Sequence, residues 1–386
     1  MSRLYAFGSN GSGQLGVGHF DDISQPELCK LRSTDTQNGS LSNIRQNTLT
    51  DTRFCKIVAG GNHTLALTRA SNAFAAGHNA DGRCGLPISA KHDCEFQLLE
   101  EMGSSSGHKF FPISDIAATW EASFFVNNHG SVWTCGTGSK GELGLGPEVT
   151  NSKNLSKIFD VKDVTRGDSI CSISASISHI ILLTDTGDAY GWGTCRKGQL
   201  GDDLIKEKIV WRPTKLTLAF KARQVVTGRE FTFFVGENGE QQLFGKSKHL
   251  PHSLNLTVED SNLCDTQFEL LQAGWSSIYC LSGTKGQRAM RAWGRNDRGQ
   301  QPPESLPVVE AIAAGSEHCI ASTAKGEVIA WGWGEHGNCG TSTDQRDSVA
   351  GWYNNIPLPF SGDWSVDTIA AGCATSFILA RNEGSS

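Results

Sequence analysis

The stretch that decides the fold begins Ile57-Val58-Ala59-Gly60, turns at Gly61-Asn62, and continues His63-Thr64-Leu65-Ala66-Leu67-Thr68. It turns again over 69–72 and ends Ala73-Phe74-Ala75-Ala76-Gly77. Short runs of small and apolar residues separated by Gly, Asn and Ser turns specify antiparallel strands. The unit recurs seven times. Its first arm starts at Ile57, Ile116, Ile173, Val225, Leu271, Ile312 and Ile369, and its second arm ends at Gly8, Gly77, Gly136, Gly193, Gly245, Gly294 and Gly332. Each unit carries an apolar face that only its neighbours can cover, so the repeat implies a ring or stack of units. The interval between glycines shortens along the chain. The last, Gly294 to Gly332, is near the roughly 40 residues that a four-stranded propeller blade requires.

The expected fold is therefore all-β: a single seven-bladed β-propeller over 1–386, with polar loop insertions near 32–53, 87–112, 246–268 and 341–365. The first arm at Ile369 has no second arm after it, while Leu4-Tyr5-Ala6-Phe7-Gly8 has no first arm before it. Pairing of the N- and C-terminal strands would close the ring and remove an exposed sheet edge.

With 386 residues, 38% hydrophobic, the chain can bury a large core, and a net charge of −6 argues against non-specific binding to nucleic acid or anionic lipid. No apolar run is long enough to span a bilayer and the first residues lack a signal-peptide core, so a cytoplasmic and nuclear location is expected. Twelve cysteines are scattered without a Cys-x-x-Cys pair, the pattern of reduced thiols rather than of a structural zinc site.

The loop Gly8-Ser9-Asn10-Gly11-Ser12-Gly13-Gln14-Leu15-Gly16, with the repeat around it, resembles the regulator of chromosome condensation family of propellers. Tyr5-Ala6-Phe7-Gly8-Ser9-Asn10-Gly11, the run from Trp331 to Gly340 and Gly372-Cys373-Ala374-Thr375 are similar to the fungal killer-toxin-insensitivity, or alpha-tubulin suppressor, branch of that family. The resemblance implies a heterodimer with a small CSL-type zinc protein that serves diphthamide synthesis and Elongator-dependent tRNA wobble-uridine modification. It implies no cofactor in this chain, with zinc or iron held by the partner alone.

Gly-x-Gly-x-x-Gly occurs at Gly11–Gly16, Gly136–Gly141 and Gly332–Gly337. A dinucleotide site needs that loop between a strand and a helix, and no helical pattern follows any of the three. His63, His179 and His318 share one repeat position, which favours an imidazole that ties neighbouring loops by backbone hydrogen bonds over a catalytic base. Phe7, Trp192, Phe244, Trp293 and Trp331 share another, just before the glycine, and are expected in the core between blades.

Residues that break the repeat are the better functional candidates. Strand reversal places the turn after the first arm and the loop after the second arm on one face. Trp120, Arg229 and Trp275 fall at the first-turn position, where other units have Gly61, Ile177, Ser316 and Cys373, and Trp333 stands where others have Ser9 or Thr137. Trp275, Trp333, Glu335 and His336 are the leading expected partner contacts, with Trp120, Arg229, Glu230 and Arg295 beside them. Tryptophans with arginine neighbours are the usual make-up of a protein-binding hot spot. Arg83, Lys140, Arg196, Lys197, Lys246, Arg295 and Arg298 in the same loops suit an acidic partner.

The expected function is a non-catalytic scaffold that positions the zinc protein and shields or orients its metal. The alternative is guanine-nucleotide exchange on a Ran-like GTPase with chromatin association, for which Glu121, Glu230 and Glu317 are the available acids. No constellation of nucleophile, base and metal ligand outside the repeat positions supports an enzyme.

Overall fold

Seven sheets, antiparallel apart from the short edge strand Leu31–Arg32 that runs parallel to Asp93–Leu98, surround a central channel, as a computed structural model of the chain shows. It describes residues 2–32, 52–88, 93–99, 112–165, 167–251, 268–341 and 348–384. Much of the four expected insertions lies outside these residues. The innermost strands of blades one to seven are Phe54–Ala59, Ile113–Ala118, Ile170–Ala175, Ala222–Thr227, Phe268–Ala273, Val309–Ala314 and Trp364–Ala371, so the first arms of the repeat line the channel. Within the stretch 341–365, Ser348–Ile356 is the outer strand of the sixth blade. Trp352, Tyr353, Leu358, Phe360 and Trp364 pack against the core beside it.

The seventh blade joins the two ends of the chain. Its inner strands are Trp364–Ala371 and Thr375–Asn382, and its outer strands are Ser2–Gly8 and Ile23–Leu28. Ser2–Gly8 runs antiparallel to Thr375–Asn382 from Ser2 opposite Arg381 to Gly8 opposite Thr375. This pairing leaves no gap in the ring.

The second strand of each blade lies between two partners and between two neighbouring blades. Every residue of His63–Thr68, Ala122–Asn127, His179–Thr184 and Phe231–Gly236 is accordingly buried. Such strands read as continuous apolar runs rather than clean alternation. Each inner strand also carries a register break at its lower end: between Phe54 and Lys56, Ile113 and Asp115, and at the matching place in the other five. A β-bulge adds local twist, which lets short strands splay outward from the channel.

The repeat glycine is required on two counts. All seven have positive φ, from +94° at Gly245 to +129° at Gly294. A Cβ on any of them would lie 2.2–2.7 Å from the carbonyl oxygen just before the second strand. Only glycine allows the third strand to pass so close to that turn.

Buried histidines tie three seams between blades. His63 Nε2 lies 2.9 Å from Ser123 Oγ, His179 Nε2 3.0 Å from Thr232 Oγ1, and His318 Nε2 3.0 Å from Ser376 Oγ. Each hydroxyl belongs to the next blade and donates back to a loop carbonyl of the first: Arg83, Gln199 and Asn338. Because the hydroxyl proton is committed to the carbonyl, Nε2 must carry the donated hydrogen, and burial, which lowers each pKa, keeps the ring neutral. The histidines do bridge neighbouring units, but through side-chain hydroxyls of the next blade rather than the expected backbone groups. Phe7, Trp192 and Trp331 are fully enclosed between blades, and Trp192 Nε1 donates to Glu142 O at 2.8 Å. Trp293, at the same repeat position, is only half-buried.

Candidate protein-binding face

Backbone bonds confirm that the two loop sets share a face. Thr137 N donates to Glu121 O, Thr194 N to Ser178 O, Arg295 N to Ser276 O and Trp333 N to Glu317 O, at 2.8–3.1 Å. In each case the residue after the repeat glycine is clipped to the first turn of its own blade. The first turns are themselves linked around the channel mouth. Gly61 N donates to Trp120 O (2.9 Å) and Trp120 N to Ile177 O (3.2 Å). A second arc runs from Arg229 N to Trp275 O (2.8 Å), Trp275 N to Ser316 O (2.9 Å) and Ser316 N to Gly372 O (3.0 Å).

Trp120 and Trp275 rise from these arcs on the second and fifth blades. Their ring centroids are 5.7 Å apart and their planes are inclined by 50°, so the indoles meet over the mouth of the channel. Trp120 remains 39% exposed. Its ring lies above Gly61, where a Cβ would come within 2.8 Å of it. The channel beneath encloses about 660 Å³ and is lined mainly by small and β-branched residues of the inner strands. Deeper in it, Lys56 Nζ pairs with Asp115 Oδ1 at 2.6 Å, while Asp115 Oδ2 accepts from Ile173 N at 3.0 Å.

The other expected contacts divide into free and engaged groups. Arg229 is exposed and Glu230 half-exposed at the rim, and neither side chain is ion-paired among the described residues. Glu335 is exposed beside His336, whose Nδ1 lies 2.9 Å from Asp22 Oδ2 in the loop of the seventh blade. Trp333 is half-buried rather than fully exposed, because Arg298 stacks over its ring at 5.0 Å from the centroid. Its Nε1–H is enclosed without a hydrogen-bond partner.

Arg295 is an engaged group. Its guanidinium binds both carboxylate oxygens of Asp297, at 2.5 and 2.6 Å, and reaches Glu317 Oε1 at 3.5 Å. The hydrogen bond from Arg295 holds the Asp297 carboxyl below its usual range. Glu317 is buried and also accepts from Ser276 Oγ (3.1 Å) and Gln300 Nε2 (2.8 Å). Arg83 repeats the arrangement one side of the ring away. It is buried, grips Asp81 at 2.7 and 2.8 Å and reaches Glu121 at 3.3 Å. Burial would raise the Asp81 carboxyl, but hydrogen bonds from Arg83 and Thr137 outweigh it and hold the group low. Arg83 and Arg295 therefore brace adjacent blades and do not supply free positive charge, a correction to the sequence reading.

Sequence reasoning found both rim tryptophans but not their contact. The available signal was positional: both occupy one repeat slot, three blades apart, and only a ring brings such slots face to face across a channel. The Asp22–His336 pair left no such signal, since Asp22 lies in a loop outside the repeat. Among the described residues no group of three or more His, Cys, Asp or Glu converges as a metal set, and no helix is long and apolar enough to cross a membrane.

Known proteins match this chain over most of their length. An RCC1 repeat-containing protein of Schizosaccharomyces pombe is 31% identical over 97% of this chain and 98% of its own. The secretion-regulating guanine nucleotide exchange factor of Mus musculus is 25% identical, covering 89% of this chain and 76% of that protein. The crystal structure of Prp20p from Saccharomyces cerevisiae superposes with a TM-score of 0.76 at 18% identity, over 99% of this chain and 92% of that one. Residues 3–379 match the RCC1-like domain, with seven blades and one closing pair of terminal strands, and the chain belongs to that family.

Proposed function

We propose that this protein is a non-catalytic scaffold whose partner docks on the face bearing Trp120, Trp275, Trp333, Arg229, Glu230, Glu335 and His336. The observation that carries this reading is the Trp120–Trp275 pair, two large aromatics held at a channel mouth by a hydrogen-bonded rim and still open to solvent. Rigid, part-exposed tryptophans at the centre of a face are the groups that dominate protein–protein binding energy. A partner side chain that covers them gains apolar burial at little ordering cost, because the rim is already fixed.

The partner we assign is the small CSL-type zinc protein, on the sequence resemblance of the Tyr5–Gly11, Trp331–Gly340 and Gly372–Thr375 stretches to the killer-toxin-insensitivity branch. The pair would then support diphthamide synthesis and Elongator-dependent wobble-uridine modification in cytoplasm and nucleus. The propeller contributes no metal ligand; it orients the partner and limits solvent access to the partner's metal. Titration of the zinc protein into this chain by calorimetry tests the reading. Binding that Trp275→Ala weakens by about 2 kcal/mol or more supports it, and wild-type-like binding by that variant removes the face from consideration.

Guanine-nucleotide exchange is the second reading, favoured by the likeness to a secretion-regulating exchange factor. Of its three candidate acids, Glu317 is buried in hydrogen bonds and Glu121 is shared with Arg83, which leaves Glu230. Release of labelled GDP from a Ran-like GTPase by catalytic amounts of this protein would favour it over the scaffold.

A further inference from the structure

The loop after each repeat glycine makes a tight turn whose central residues stand three and four positions past that glycine. The turns are closed by bonds such as Gly82 N to Asn79 O, Gly198 N to Cys195 O and Gly337 N to Gly334 O, at 2.9–3.0 Å. Equivalent backbone presents these two side chains at equivalent places around the face, so any difference between blades is chemical. On the second, third and fourth blades the pairs are Ser139-Lys140, Arg196-Lys197 and Lys248-His249. On the first, fifth and sixth they are Ala80-Asp81, Asp297-Arg298 and Glu335-His336, and on the seventh Gly11-Ser12, with Asp21 and Asp22 in the same loop.

The charge is therefore divided. Lys140, Arg196, Lys197 and Lys248 are exposed and unpaired among the described residues. Lys246 and Arg229 of the fourth blade are exposed on the same side. Asp202 and Asp203 follow later in the third blade's loop, and neither is ion-paired with Arg196 or Lys197 among the described residues. Across the ring the cations are engaged: Arg295 by Asp297 and Glu317, Arg83 by Asp81 and Glu121.

A sevenfold face offers near-equivalent orientations to anything bound at its centre, and a one-sided field removes the degeneracy. We propose that the partner docks off-axis, with an apolar side chain on the Trp120–Trp275 pair and an acidic protein segment on the cationic arc of the second to fourth blades. A protein fits better than a nucleic acid. The arc ends after three blades, the arginines of the first and fifth blades' loops are engaged by carboxylates or by Trp333, and the central anchor is apolar.

This inference deepens the scaffold reading and rests on it, so two probes are needed to separate the claims. One is the purified CSL-type zinc protein; the other is a fluorescein-labelled peptide of Phe followed by eight Glu. The variants are R196Q/K197Q and, as a control of the same change in net charge on the opposite arc, S12E/A80E. The arc variant is expected to weaken both probes about tenfold or more and to flatten their salt dependence, with the control within about twofold of wild type. Failure of the wild type to bind the zinc protein while it binds the peptide would overturn the partner assignment and support the arc. Equal loss in both variants, equal binding by the arc variant, or no peptide binding by the wild type would overturn the arc. A preference for tRNA over both probes that the arc variant abolishes would overturn it as a protein site.

Discussion

Trp120 and Trp275 lie three blades apart in the ring, yet their indoles touch at a centroid distance of 5.7 Å. Each belongs to a different arc of rim hydrogen bonds: Gly61–Trp120–Ile177 on one side, Arg229–Trp275–Ser316–Gly372 on the other. The pair is the cross-piece between those arcs. It lies at the mouth of the channel with Trp120 still part-exposed, so a partner that covers it meets a surface already held in place.

A double-mutant cycle on this pair has a definite expected result. An aromatic contact contributes about 0.5–1.5 kcal/mol beyond its buried area. Trp120→Ala and Trp275→Ala should each destabilise modestly in urea unfolding, and the double variant should fall short of their sum by about that amount. Strict additivity would mean that the indoles do not meet in solution.

The repeat glycine offers a sharper contrast. Gly136→Ala places a Cβ 2.3 Å from Glu121 O at a φ of +104° and forces the third strand away from the first turn. A loss of more than about 2 kcal/mol is expected, from strain and broken strand pairing together. Gly11→Ala, with no atom within 4 Å of the new carbon and no positive φ, should stay within about 0.5 kcal/mol of wild type. Comparable losses at both sites would refute the steric account.

Closure of the ring predicts that the first strand behaves as core. Leu4 is fully buried opposite Leu379 in the seventh blade. Leu4→Ala should cost about 2–5 kcal/mol. Removal of the first eight residues takes away the third strand of that blade and exposes the edge of Thr375–Asn382. Loss of a single cooperative transition in thermal unfolding is the expected readout, and an unchanged midpoint would show that the blade holds without it.

The sevenfold pattern was legible because each blade writes its own copy of one steric requirement, the glycine beside the first turn. The same regularity separated structure from function: His63, His179 and His318 obey it and bridge seams, while Trp120 and Trp275 depart from it and stand at the mouth. What the chain did not reveal was which charges neutralise one another. Arg83 and Arg295 looked like free cations, but each is consumed by a carboxylate two residues away and another on the next blade. Pairing across a seam depends on side-chain reach between units, which the repeat alone does not encode. Trp333 is half-buried for the same reason, since Arg298 of the fifth blade covers its ring across the seam to the sixth.

The seam histidines make the protein acid-sensitive in a defined window. Burial lowers the pKa of His179 and His318 from 6.5 to about 4 and that of His63 to about 3. Above pH 6.5 the rings are neutral whether the chain is folded or not, and they contribute no pH dependence. As the pH falls below 6.5 the unfolded chain takes up protons that the folded one refuses, so stability declines until the native rings titrate near 4 and 3. Each histidine accounts for up to about 1.4 kcal/mol per pH unit in that interval. Urea unfolding at pH 6.5, 5.5 and 4.5 should show this loss. His179→Gln, which can retain a donor toward Thr232, should reduce the slope by about one proton while lowering stability at pH 7. A slope unchanged by that substitution would assign the acid sensitivity to groups other than the buried imidazole.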